Sequence, residues 1–136
     1  MFDTVKDVGN YKDFVPYCTS SEIKNETSHS SHARLVVGYG PVNEHYTSKL
    51  RYEKPVFVEA LCSDGKLFNS LNCMWKFKRV KSPDMCIIDF NVDFEFRSLF
   101  YSSLATMFFN EVVKTMVSAF EKEGKRRLAL KIKEDA

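Results

Sequence analysis

The chain has 136 residues, 20 of them basic and 18 acidic, and 44% of it is hydrophobic. That length suits one domain with a proper core, and that hydrophobic share excludes a disordered chain. A net charge of +2 gives no reason to expect nucleic acid as the default partner.

Phe2, Val5 and Val8 have helical spacing, so residues 1–8 read as the end of a helix stopped at Gly9. Residues 10–16 predict a short, partly helical turn with Tyr11, Phe14 and Val15 as apolar anchors. Residues 19–32 are polar and rich in Ser and His, which suits an exposed strand or a loop. Then the period becomes two. Ala33, Leu35, Val37 and Tyr39 alternate with Arg34, Val36 and Gly38; after Gly40-Pro41, Tyr46, Ser48, Leu50 and Tyr52 alternate with His45, Thr47, Lys49 and Arg51. Pro55 opens a strand over residues 56–62, closed by a turn at Ser63-Asp64-Gly65. Residues 67–79 follow, with Leu67, Leu71, Cys73, Trp75 and Phe77 on one face, and Pro83 marks the next turn.

The clearest strand is 86–96. Cys86, Ile88, Phe90, Val92, Phe94 and Phe96 face one way; Asp89, Asn91, Asp93, Glu95 and Arg97 face the other. One dry and one wet face mark an antiparallel sheet solvated on one side. After Arg97 the period changes to that of a helix, with Ala105, Phe109, Val112, Val113, Met116 and Phe120 in one stripe and Ser98 placed to cap its start. That helix should reach at least Glu123, about 25 residues, and the basic tail after Gly124 (Lys125, Arg126, Arg127, Lys131, Lys133) is placed to continue it. The order is helix, five or six meandering strands and one long helix: an α+β domain with the last helix packed into a curved sheet.

Several chemistries find no support. No nucleophile elbow, P-loop or dinucleotide fingerprint is present. His29, His32 and His45 read as surface histidines, so no metal is expected. Cys18, Cys62, Cys73 and Cys86 form no CxxC pair and read as reduced, structural thiols, which fits an intracellular compartment. No stretch has the ~18–20 apolar residues of a membrane span, and no leader opens the chain. The acidic row Asp89, Asp93 and Glu95 reads as a solvated strand face, not as paired catalytic carboxylates. The apolar side is either a filled core or the lining of a pocket, and periodicity does not choose between them. For a pocket, Tyr17, Tyr39, Tyr46, Ser48 and Asn69 are the candidate orienting groups.

Certain blocks occur in a specific order. They are Phe14-Val15-Pro16-Tyr17-Cys18 with Ser21, Val37-Gly38-Tyr39, Tyr46-Thr47-Ser48, and Asp64-Gly65-Lys66-Leu67-Phe68-Asn69-Ser70-Leu71 leading to Trp75-Lys76-Phe77. Next come Asp89-Phe90, Phe94-Glu95-Phe96-Arg97-Ser98-Leu99, Phe108-Phe109-Asn110-Glu111-Val112-Val113 and Ala119-Phe120-Glu121. Over roughly residues 1–121 they resemble the coenzyme Q-binding START-domain family, of the polyketide cyclase/START helix-grip superfamily. The resemblance implies a helix-grip fold in residues 1–124, with residues 125–136 as a basic C-terminal tail. It implies ubiquinone as bound ligand, no further cofactor and no catalytic residues. It further implies a lipid chaperone or carrier supporting respiratory electron transport and ubiquinone biosynthesis, with peripheral contact at the matrix side of the mitochondrial inner membrane.

On that reading the quinone head group and first isoprene units lie between helix and sheet. The helix contributes Phe109, Val112, Val113 and Met116; the sheet contributes Leu71, Trp75, Phe77, Phe90, Val92 and Phe94. Phe14, Val15, Pro16 and Tyr17 form a gate, or, on the plainer reading, a packed corner. Bacterial members resemble ribosome-associating toxins, so a module binding a ribosome or another protein is the alternative, and a cyclase stands third. Family members begin with a further strand and the start of the first helix. This chain opens after both, which implies an exposed sheet edge and a truncated gene model or isoform. Tyr17 stands where the family has Trp, and residues after Glu121 do not match its ending.

Overall fold

The alternating segments become one antiparallel sheet. The computed structural model describes residues 1–39, 42–81 and 85–135, with side chains described except at Tyr39, Val42, Ser63, residues 99–112 and Asp135. The elements in chain order are α1 (Phe2–Lys6), a 3-10 turn (Val8–Asn10), α2 (Tyr11–Phe14), β1 (Cys18–Lys24), β2 (Ser30–Tyr39) and β3 (Val42–Glu53). Then come β4 (Phe57–Gly65), β5 (Phe68–Arg79), β6 (Cys86–Phe96) and α3 (Leu99–Asp135). The sheet has six strands in the order β1-β2-β3-β4-β5-β6, so each strand pairs with its neighbour in sequence and β1 and β6 are the two edges. The architecture is the expected α+β one. The turns at Gly40-Pro41 and around Pro83 lie outside the described residues.

The polar segment that sequence left between strand and loop is a strand over Cys18–Lys24, turning at Asn25, a residue with positive φ (52°). Its inward residue Ser21 is 2% exposed. The hydroxyl donates to the Gly9 carbonyl at 3.0 Å and accepts from the Lys12 N–H at 3.2 Å. A buried serine is tolerated here because both of its hydrogen-bonding roles are filled.

Register explains how the core is assembled. Across the sheet, Tyr52 pairs with Val58, Val58 with Trp75 and Trp75 with Phe90, while Leu50 pairs with Ala60, Ala60 with Cys73 and Cys73 with Val92. The inner face is therefore built in continuous rows. Its best-buried part is over β2–β4, where α1 lies: Val5 and Val58 are 0% and 1% exposed. Phe2, Val8, Val15, Ala33, Leu35, Leu50, Tyr52 and Phe120 belong to the same cluster. Each fully buried Val or Leu contributes about 1.5–3 kcal/mol, so this cluster carries a major share of the fold. The Tyr11 hydroxyl donates to the Val5 carbonyl and ties α2 to α1.

α3 reaches past Glu123 and takes in the basic tail, 37 residues or about 55 Å in all. It begins immediately after Ser98 and passes through Gly124 without a break. Gly124 is a place of close approach: a Cβ there would lie 2.9 Å from Cε of Met1. Arg127, in the following turn, reaches Asp7 at 2.9 Å and so fastens the second half of α3 to the N-terminal segment.

Candidate functional site

β5 and β6 oppose their inner residues directly: Leu71 faces Phe94, Cys73 faces Val92, Trp75 faces Phe90 and Phe77 faces Ile88. All eight are half-buried, in contrast to the closed cluster over β2–β4. The rings form two groups. Trp75 lies 4.3 Å from Phe90 and 5.0 Å from Phe120 of α3, ring centre to ring centre, and makes the sheet-to-helix contact. Beyond it Phe68 stacks on Phe96 at 5.1 Å, meets Phe94 at 6.2 Å and is met edge-on by Tyr46 at 5.2 Å.

Of the sheet residues expected at a ligand site, Leu71, Trp75, Phe77, Phe90, Val92 and Phe94 share this face. On the helix side, Met116 packs against the core cluster and Val113 is half-buried. The side chains of Phe109 and Val112 lie outside the described residues. Phe68 was missed. The ladder shifts register between Phe68 and Ser70, and the irregularity brings Phe68 into the ring group although strict alternation from Leu67 and Leu71 sends it outward. No signal in the sequence marks such a shift.

The orienting groups divide. Tyr46 is half-buried against Phe68, and burial pushes its hydroxyl well above the ordinary value of 10.0. Ser48 is buried at 2% exposure. Asn69 is a correction: it is exposed and its amide donates to Glu95 at 3.4 Å on the outer face. The Tyr39 side chain lies outside the described residues. Asp89, Asp93 and Glu95 are exposed as expected, with Asp89 paired to Lys78 at 3.5 Å. Among the described residues no group of three metal-ligating side chains gathers, and no helix is long and apolar enough to cross a membrane. The four cysteines are free thiols.

The segment Phe14–Tyr17 sits beside α3. Phe14 meets Tyr11 at 5.6 Å and Phe120 at 5.4 Å, both edge-on, and the Arg127 guanidinium lies 5.8 Å from its ring. Val15 is 7% exposed, while Pro16 and Tyr17 are half-buried. Tyr17 has φ of 70°, a left-handed conformation that costs about 1–3 kcal/mol in a non-glycine residue. Its carbonyl accepts from the Gly38 N–H at 2.8 Å, which holds the bend where the chain enters β1.

Burial raises Tyr11 and Tyr46, and lifts the Cys73 thiol from its ordinary 9.0 to about 12. All three are stable in the folded chain as neutral groups. Their contribution is whole below the unfolded values, about 9 for the thiol and 10 for the phenols, and is lost as pH rises through the higher folded values. Urea midpoints should therefore hold level from pH 7 to about 9 and fall above it. Burial also raises the Cys18 and Cys62 thiols, so Cys73→Ala should make that fall shallower without moving its start, and an unchanged profile would show Cys73 to be open to water.

Comparison with known proteins fits this architecture. The sequence profile of the polyketide cyclase / dehydrase and lipid transport family matches residues 1–121. A mitochondrial coenzyme Q-binding protein of Xenopus laevis is 48% identical over 128 residues, 93% of this chain and 52% of that protein. The chain thus spans about half the length of that relative. The ribosome association toxin RatA of Escherichia coli K12 is 30% identical over 125 residues, 92% of this chain and 78% of the toxin. Among solved structures, the Zhui aromatase/cyclase of Streptomyces sp. R1128 superposes with a TM-score of 0.75 over 93% of this chain and 86% of its own. At 17% identity it shows the fold alone.

Proposed function

Because the chain belongs to the polyketide cyclase / dehydrase and lipid transport family, we propose that it binds ubiquinone against the inner face of β5 and β6 and acts as its carrier or chaperone, not as a catalyst. The observation that carries this reading is the partial exposure of that face: Leu71, Phe90, Val92 and Phe94 are aromatic or aliphatic, point inward, and yet are not closed over as the β2–β4 core is. A flat quinone ring suits a face lined by Trp75, Phe90 and the Phe68 group, since aromatic pairs gain about 0.5–1.5 kcal/mol beyond area. Tyr46, whose ring meets Phe68 edge-on, offers a hydroxyl to donate to a quinone carbonyl. Each isoprenoid CH₂ adds up to about 0.8 kcal/mol, so a few units suffice for affinity while the rest of the tail remains outside.

The name of the Xenopus relative supports coenzyme Q as the ligand and mitochondria as the setting. Within that setting the chain serves respiratory electron transport and ubiquinone biosynthesis from the matrix side of the inner membrane. The bent segment ending at Tyr17 serves as the gate, with Pro16 and Tyr17 its moving part and Phe14 and Val15 its anchor.

Trp75 is the chain's single tryptophan, so its fluorescence reports this face alone. Titration with a short-tailed ubiquinone should quench it saturably, and native mass spectrometry of gently purified protein should show a co-purified polyprenyl quinone. Well-folded protein that carries no lipid and is not quenched would end the carrier reading.

A further inference from the structure

We propose that the solvent-facing side of α3 is a docking surface for an anionic phospholipid bilayer. The proposal deepens the carrier reading and rests on it for its purpose, while its chemistry stands on the helix face alone.

An α-helix winds about 100° per residue, which brings Lys114, Ser118, Lys122, Lys125, Arg126 and Lys133 within about 120° of one another around the axis. All six are exposed, opposite the side on which Met116 and Phe120 pack inward. Of the acidic residues of the same stretch, only Glu121 borders that face, about 20° from Lys114. Glu134 falls on the far side. Glu123 is 8% exposed and is engaged by Arg126 and, at 3.5 Å, by Arg127. The Arg126 bond holds the Glu123 carboxyl below the usual carboxylate range, so this acid is already matched. Balanced composition therefore hides a face that is basic in space, and among the described residues Lys114, Lys122, Lys125 and Lys133 have no acidic partner.

Two further features point to lipid. Lys114, Thr115, Ser118, Ala119, Lys122 and Arg126 line an open cleft of about 630 Å³ whose other wall is Phe14 and Pro16, and the carboxylate that also lines it, Glu123, is the one engaged by Arg126 and Arg127. Cations and two hydroxyls facing an apolar wall match a phosphate headgroup at the boundary of its acyl chains. Further along, Leu128, Leu130 and Ile132 are 37%, 46% and 56% exposed beside Lys125 and Lys133. Exposed aliphatic side chains flanked by lysines suit the interfacial zone, where the stems lie in hydrocarbon and the amines reach water. A single-stranded RNA face would instead offer exposed aromatic platforms for bases, and the exposed residues of these turns include none. The cleft adjoins Pro16, so docking sets the gate segment against the membrane.

The test is flotation of the folded chain with phosphatidylcholine vesicles, with and without phosphatidylglycerol, at low and physiological salt. Binding should require phosphatidylglycerol and weaken with salt. Each lysine near such a surface is worth about five-fold in partition, so K114Q/K122Q/K125Q should bind about 100-fold more weakly. Its circular dichroism and its quinone quenching of Trp75 should match those of the parent. Equal binding of variant and parent, equal binding to both vesicle types, or capture of ribosomal RNA with no vesicle binding would each overturn the proposal. Vesicle binding without quenching would uphold the docking face and sink the carrier reading, whereas quenching without vesicle binding would do the reverse.

Discussion

Gly65→Ala is expected to lower the stability of the chain by about 3–5 kcal/mol, a large part of the roughly 5–15 kcal/mol available to a typical domain. Gly65 ends β4 with φ of 127°, a conformation that side-chain-bearing residues rarely adopt. A Cβ there would lie 2.7 Å from the Tyr46 Cα and 2.8 Å from the His45 carbonyl oxygen, and both are backbone atoms that cannot rotate away. Backbone strain costs about 1–3 kcal/mol and overpacking a similar amount. Urea denaturation followed by circular dichroism measures the sum. A loss below about 1 kcal/mol would mean that the end of β4 shifts away from β3 at no cost. Because Gly65 pairs with Tyr46, the same substitution should displace that hydroxyl and reduce quinone affinity in whatever fraction stays folded.

Val92→Asp should abolish quinone binding while leaving a folded chain. Val92 is central in β6 and faces Cys73 in the middle of the half-buried face. In the empty protein a carboxylate there keeps part of its hydration, so the cost to folding stays modest. Once a quinone tail covers the position, the charge is left unpaired against hydrocarbon, at about 3 kcal/mol or more, which is at least about 100-fold in affinity. Asp93→Ala, one residue along and on the outer face, should bind as the parent does. Trp75 quenching in the three proteins decides the matter. If Val92→Asp binds normally, the ligand does not lie on β6.

The strand over Cys86–Phe96 was legible to its end residues because its alternation is unbroken for eleven positions. β1 was not, since its inward positions include Ser21, whose burial depends on Gly9 of the 3-10 turn and Lys12 of α2, partners from two other elements. Phe2 and Val5 were recognised as a helix face, although the helix ends at Lys6 and Val8 falls in the 3-10 turn, and nothing local says that this short helix takes the best-buried part of the sheet. The long run of α3 past Gly124 was left open for the same reason: a glycine reads as a stop, and only the approach of Met1 gives it another purpose. For the site, parity along β5 and β6 yielded six sheet residues. It failed at Phe68, where a register shift reverses it, and at Asn69, which the same shift leaves outside.

On the proposed carrier reading, the uneven burial of the sheet separates what keeps the chain folded from what would touch cargo. Val5, Val58 and Leu50 sit where any change in volume unsettles the whole domain. Leu71, Val92 and Phe94 retain solvent contact, so substitutions there should fall more lightly on folding and, on that reading, more heavily on what is bound. A lineage built this way can drift along its lining without risking collapse, and new cargo needs no new foundation. Half-exposed positions of β5 and β6 are thus where an engineer should begin when asking this scaffold to hold a different isoprenoid or polyketide.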